Sequence, residues 1–93
     1  MKVGIMQVSL YIQGAQSLKE KRMIIRSIKD KIRQKYNVSI DEVDYQDKWQ
    51  RSVIGISQVG QSIKAIDKNF NAIYQKLLEN YSIQVVDKII EYV

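Results

Sequence analysis

Five basic side chains recur along one stretch of this sequence at steps of 3, 4, 3 and 4: Lys19, Arg22, Arg26, Lys29 and Arg33. On a helix turning about 100° per residue they fall within an arc of about 80° and run about 21 Å along the axis. Lys and Arg in such a row contact phosphates and release counterions, so the chemistry on offer is capture of a polyanion. Residues 17–36 hold eight Lys and Arg against Glu20 and Asp30, a net +6. The protein as a whole carries +5, so everything outside this stretch sums to −1. Like charges at i and i+4 repel by a few tenths of a kcal/mol. Arg22 and Arg26, and Lys29 and Arg33, stand at that step, and Asp30, four residues after Arg26, is the one carboxylate at a matching step. Two fates are open for the row: a nucleic-acid backbone, or solvent and the acidic segment of the same chain.

That acidic segment holds Asp41, Glu42, Asp44 and Asp47 with no basic residue among them. Oxygen ligands of this kind suit magnesium, but carboxylates around a tight turn more often form turns and ion pairs. The favoured reading is pairing with the basic helix, of this chain or of a twin, and no metal is assigned. A third set combines aromatic and basic residues: Tyr11, Tyr45, Trp49, Arg51 and Tyr92. If Tyr11, Trp49 and Arg51 share an uncovered sheet face, they make a platform for stacking single-stranded bases. The same residue types anchor interfaces between copies, and the homodimer is the preferred of the two expectations. The aromatic-plus-glycine motif of RNA-recognition domains is absent.

Catalysis finds no foothold. The chain has neither His nor Cys, which removes nucleophilic triads, the usual general base, thiolate chemistry and cysteine-held zinc. The glycines at 4, 14, 55 and 60 build neither a P-loop nor a dinucleotide fingerprint. No catalytic residue and no cofactor is assigned, and a non-enzyme is expected. The N-terminus of the basic helix, with Lys19 and Lys21 beside it, is a further place for a phosphate group.

The elements that must position these groups are readable from periodicity. Lys2 to Ile12 alternates, with Met6, Val8, Leu10 and Ile12 on one face, as a half-buried strand does. Gln13 to Gln16 form a turn in which Gly14 is expected to supply backbone freedom. Ser17 and Glu20 make a capping box for a helix over 17–36, whose buried stripe is Leu18, Ile25, Ile28 and Ile32. Val38 to Asp44 and Trp49 to Val59 read as an antiparallel hairpin turning at Asp44–Asp47, with Val53 and Ile54 competing for the core. Ser62 to Asn80 is a second helix, with Ile63, Ile66, Phe70, Ile73 and Leu77 at steps of 3, 4, 3 and 4. Ser82 to Val93 closes the chain as a strand that Asp87 and Glu91 interrupt, which predicts a bulge or an exposed end.

The order β-α-β-β-α-β is the split arrangement of ferredoxin-like domains. An α+β fold follows, with a four-stranded antiparallel sheet, two helices on one face and nothing from this chain on the other. Ninety-three residues make one domain, 1–93. No apolar run is long enough for a membrane span, and the start at Met1-Lys2 leads directly into a strand. A cytoplasmic protein without a signal peptide or membrane partner is expected.

Three segments carry a resemblance: "SLKEKR" (Ser17 to Arg22), "EVD" (Glu42 to Asp44) and "QDKWQR" (Gln46 to Arg51), the last two within "VSIDEVDYQDKWQRSVIGIS". In order and spacing the chain resembles the YlxP-like family of small bacterial proteins over nearly its whole length. The resemblance implies a ferredoxin-like fold. It also hints at RNA or ribosome association, since members are often encoded beside factors of ribosome maturation, translation initiation and transcription elongation. It brings no catalytic residues, and Tyr45 stands where the resemblance leads one to expect His. The expectation is therefore a non-enzymatic RNA- or ribosome-associated protein that uses Lys19, Arg22, Arg26, Lys29 and Arg33, aided by Arg51 and Trp49. The alternative is a homo-oligomeric adaptor with no nucleic-acid role.

Overall fold

Apolar and polar side chains alternate from Lys2 to Tyr11, and that alternation makes the central strand β1 (Lys2–Tyr11). A computed structural model describes residues 1–93. After β1 come helix α1 (Leu18–Lys35), strands β2 (Ser39–Asp44) and β3 (Arg51–Gly60), helix α2 (Ile63–Leu78) and strand β4 (Gln84–Tyr92). The sheet order is β2-β3-β1-β4 and every neighbouring pair is antiparallel. This is the expected ferredoxin-like α+β arrangement.

Both helices start where the sequence offers a cap. Ser17 Oγ accepts the amide of Glu20 at 3.1 Å, and Ser62 Oγ accepts that of Ala65 at 3.2 Å. Glu20 reaches back one residue beyond the N-cap, to the amide of Gln16 at 3.2 Å. The third and fourth strands begin two residues later than their apolar patterns suggest. Trp49 and Gln50 lie in a bend after a turn closed by Lys48 N–H to Tyr45 O at 3.0 Å. Ser82 is drawn into a turn by Asn80, whose Oδ1 accepts its amide at 2.9 Å.

The core lies between the sheet and the helices. Met6, Val8 and Leu10 of β1 join Ile54 and Ile56 of β3 and Ile40 of β2 beneath Ile25, Ile28 and Ile32 of α1 and Ile66, Phe70, Ile73 and Leu77 of α2. Cross-strand partners share a face, and Val8 pairs with Ile54 and Met6 with Ile56. That resolves the competition in β3: Ile54 faces the helices, while Val53, opposite Ser9, lies on the open face at 9% exposure. In β4 the pairing skips from Asp87 to Val85 opposite Ser9 and Leu10, so Val86 is the extra residue of the anticipated bulge. No helix is long and apolar enough to cross a membrane.

Two glycines matter through close approach. Gly14 has no positive φ, contrary to expectation; its amide bonds Ser82 O at 3.0 Å, and a Cβ there would lie 3.1 Å from that of Ser82. The left-handed residue is Tyr45, with φ 60. Gly4 lets α2 settle on the sheet, since a Cβ would meet Ile66 Cγ2 at 2.5 Å and Phe70 Cε2 at 2.9 Å. In an open strand, Gly to Ala gains about 0.5–1 kcal/mol. Here Gly4→Ala is expected to destabilise instead, by about 1–3 kcal/mol through overpacking, read as a lower urea midpoint with an unchanged m-value.

Candidate nucleic-acid interface

Helix α1 buries Ile25, Ile28 and Ile32, and the five-residue basic row runs along the flank of that face beside the edge strand β2. The row is divided in two by its neighbours. Lys29 Nζ pairs with Asp41 Oδ1 at 3.2 Å, and Arg33 Nη2 donates to Ile40 O at 2.8 Å. Arg33 Nη1 also lies 4.0 Å from Asp30 Oδ1 at i,i+3, so Asp30 serves Arg33 rather than Arg26 four residues before it. Lys19, Arg22 and Arg26 are exposed and make no ion pair. These three free cations span about 10 Å of the helix axis.

Asp41 takes its charge readily. The hydrogen bond from Lys29 lowers its pKa below the ordinary 3.8, helped by the backbone amide of Glu42 and by the charge of Lys29. A depressed carboxylate contributes stability above its unfolded pKa and loses it as pH falls through the folded value. The pair is open to water, so the contribution is small.

The residue that sequence reasoning placed wrongly is Lys21. It does not stand free at the helix N-terminus for a phosphate but is 1% exposed, with Nζ 2.7 Å from Glu42 Oε2. The same ammonium donates to Tyr45 O at 2.5 Å, and Ser52 Oγ, itself buried, donates to Glu42 Oε2 at 2.6 Å. The signal was present: Lys21, Ile25, Ile28 and Ile32 stand at steps of 4, 3 and 4, so Lys21 continues the buried stripe. Glu42 likewise shares a strand face with Ile40.

The acidic segment is thereby dispersed. Asp41 serves Lys29, Glu42 serves Lys21 and Ser52, and Asp44 Oδ1 accepts the amide of Tyr45 at 2.8 Å. No three carboxylates gather where a metal ion could be held.

The aromatic set splits as well. Tyr11 pairs with Arg51 on the open sheet face. The Arg51 guanidinium lies 4.7 Å from the centroid of the Tyr45 ring. Trp49, in the adjoining bend, is 41% exposed. Tyr92 belongs elsewhere, because its hydroxyl donates to Asp67 of α2.

The segment "SLKEKR" thus meets the later, nearly contiguous "EVD" and "QDKWQR" at one end of the molecule, through Lys21 with Glu42 and with Tyr45, the residue between those two, against which Arg51 stacks. A sequence profile of the family described as "Protein of unknown function (DUF503)" matches residues 3–89. The chain belongs to that family. It is also 38% identical over 71 residues to a Bacillus subtilis (strain 168) relative named "Uncharacterized protein YlxP", covering 76% of this chain and 77% of the relative. The YlxP-like resemblance read from the three segments is therefore upheld, with the function of the DUF503 family open.

Removing one partner of a buried pair leaves an uncompensated charge. Glu42→Ala is expected to destabilise by about 3 kcal/mol or more, against less than about 1 kcal/mol for Asp41→Ala. Urea unfolding of the two variants side by side checks the difference. At a pH well below 3.8 the Asp41→Ala deficit should vanish.

Proposed function

We propose that this protein is a non-enzymatic, cytoplasmic RNA- or ribosome-associated protein that grips phosphates with Lys19, Arg22 and Arg26. One observation carries the reading. In a chain whose charges outside α1 nearly cancel, three neighbouring cations of α1 have no internal partner, while Lys29 and Arg33 beside them do. Unpaired like charges in a row are held at a small energetic cost, and a phosphate backbone relieves it while releasing counterions.

The division of the row gives the reading a number. Three phosphate contacts imply a slope of log K against log salt of about −2 to −3, whereas five imply about −3.5 to −4.5. Titration of RNA at several salt concentrations is expected to give the shallower slope. Substituting Lys19, Arg22 and Arg26 together by Gln should abolish binding without lowering the urea midpoint. Salt-insensitive binding, or binding that survives the triple substitution, overturns the reading.

A second reading, a homodimer through the open sheet face, is favoured by Val43, Val59 and Ile89. All three are about half exposed or more on that side of the sheet. It expects a solution mass twice the 10.9 kDa of the chain, reverting to the monomer in Val59→Asp/Ile89→Asp. The two readings are compatible, since α1 lies on the other layer.

A further inference from the structure

Resting on the RNA reading, we infer that the ligand is single-stranded RNA, with unpaired bases stacked on the loop between β2 and β3 beside the phosphate-binding row. The first turns of α1 and this loop are tied together by hydrogen bonds. Lys21, which lies between Lys19 and Arg22 in the chain, donates to the carbonyl of Tyr45 from a buried position. The loop is fixed at its other end by Ile12 N–H to Gln50 O at 2.8 Å, and internally by Lys48 N–H to Tyr45 O at 3.0 Å. Tyr45 holds φ 60, a conformation that costs an aromatic residue energy and persists only where its surroundings over-determine it. A loop that is fixed in this way can present flat side chains without ordering them at the moment of binding.

Three flat groups are presented at this end of the sheet, Trp49 in the loop and Tyr11 and Arg51 paired on the adjoining open face. Trp49 is 41% and Tyr11 37% exposed, and Arg51 stacks over the Tyr45 ring at 4.7 Å. Aromatic rings and guanidinium planes of this kind stack on bases whose faces are free. In an A-form duplex those faces are already stacked on one another, and side chains reach only edges, hydroxyls and phosphates. A row of cations suffices for any polyanion. Exposed aromatic planes at the same end of the molecule, joined to the row's helix through Lys21 and Tyr45, select the unpaired form.

Trp49 is the single tryptophan of the chain, so intrinsic fluorescence reports on this position alone. The test compares a short oligouridylate with an RNA duplex of the same length, using the full-length protein. The oligouridylate is expected to quench Trp49 and the duplex to leave it unchanged. Trp49→Ala is expected to weaken oligouridylate binding by about 5-fold or more, leave duplex affinity within about twofold and leave the urea midpoint in place; Trp49→Phe should restore most of the loss. Equal affinity for the duplex, unmoved fluorescence or an unaffected Trp49→Ala variant overturns the inference. If Gln at Lys19, Arg22 and Arg26 still abolishes binding in that case, the phosphate reading stands alone. If the wild-type protein binds neither RNA, both fail. A Trp49→Ala variant that becomes monomeric while keeping its affinity for oligouridylate assigns the side chain to self-association instead.

Discussion

An ammonium group at 1% exposure must be neutralised where it lies, because water is not there to solvate it. Lys21 meets that demand with Glu42, and Glu42 in turn takes the hydroxyl proton of buried Ser52. One pair therefore ties the start of α1 to the end of β2 and the start of β3, and through Tyr45 O to the loop that joins those strands. It also sets the rotation of α1 about its own axis. With Lys21, Ile25, Ile28 and Ile32 directed into the protein, the row from Lys19 to Arg33 has no choice but the flank beside β2. The surface charge of the molecule is placed by a charge that is not on the surface. Pairs of this kind often contribute little net stability compared with an apolar replacement. Here the pair determines how the helix is set, and its loss is costly because either partner alone would be stranded.

The divided row follows from the same geometry. Where α1 runs alongside the edge strand, Lys29 and Arg33 find Asp41 and the carbonyl of Ile40. Further toward its N-terminus, the row meets no acid within ion-pair reach, because Glu42 has turned inward and Asp44 is bound to its own neighbouring backbone. The acidic segment could have paired with most of the row, yet two of its carboxylates are withdrawn from it. What remains exposed is a short cationic edge without an ion pair, at the end of the molecule that also carries Trp49, Tyr45 and Arg51.

Much of this was legible in the chain. The order of elements could be read because the apolar period changes from 2 to 3.6 and back at points marked by Ser17, Gly60 and Ser62. The register of β3 could not, since Val53 and Ile54 are both apolar and only pairing with β1 separates them. Lys21 was misjudged because its charge outweighed its position in the stripe, although the spacing to Ile25 was correct for burial. Gly14 and Tyr45 exchanged the roles expected of them: the glycine serves a close approach to Ser82, and the aromatic residue adopts the left-handed backbone. Local propensity cannot foresee such an exchange when a buried ammonium claims the carbonyl of the strained residue. The DUF503 match and the relative YlxP establish the family and leave the function to the site itself.

The most direct test is a map of where RNA touches the protein in solution. Backbone amide shifts and arginine side-chain Nε–Hε shifts, followed by nuclear magnetic resonance during titration with oligouridylate, would report on both faces at once. The expected result is perturbation concentrated at Lys19, Arg22, Arg26 and the Tyr45–Arg51 loop, with Val59 and Ile89 on the open sheet unmoved. Shifts confined to the part of the open sheet around Val59 and Ile89, or none at all at saturating RNA, would contradict the account.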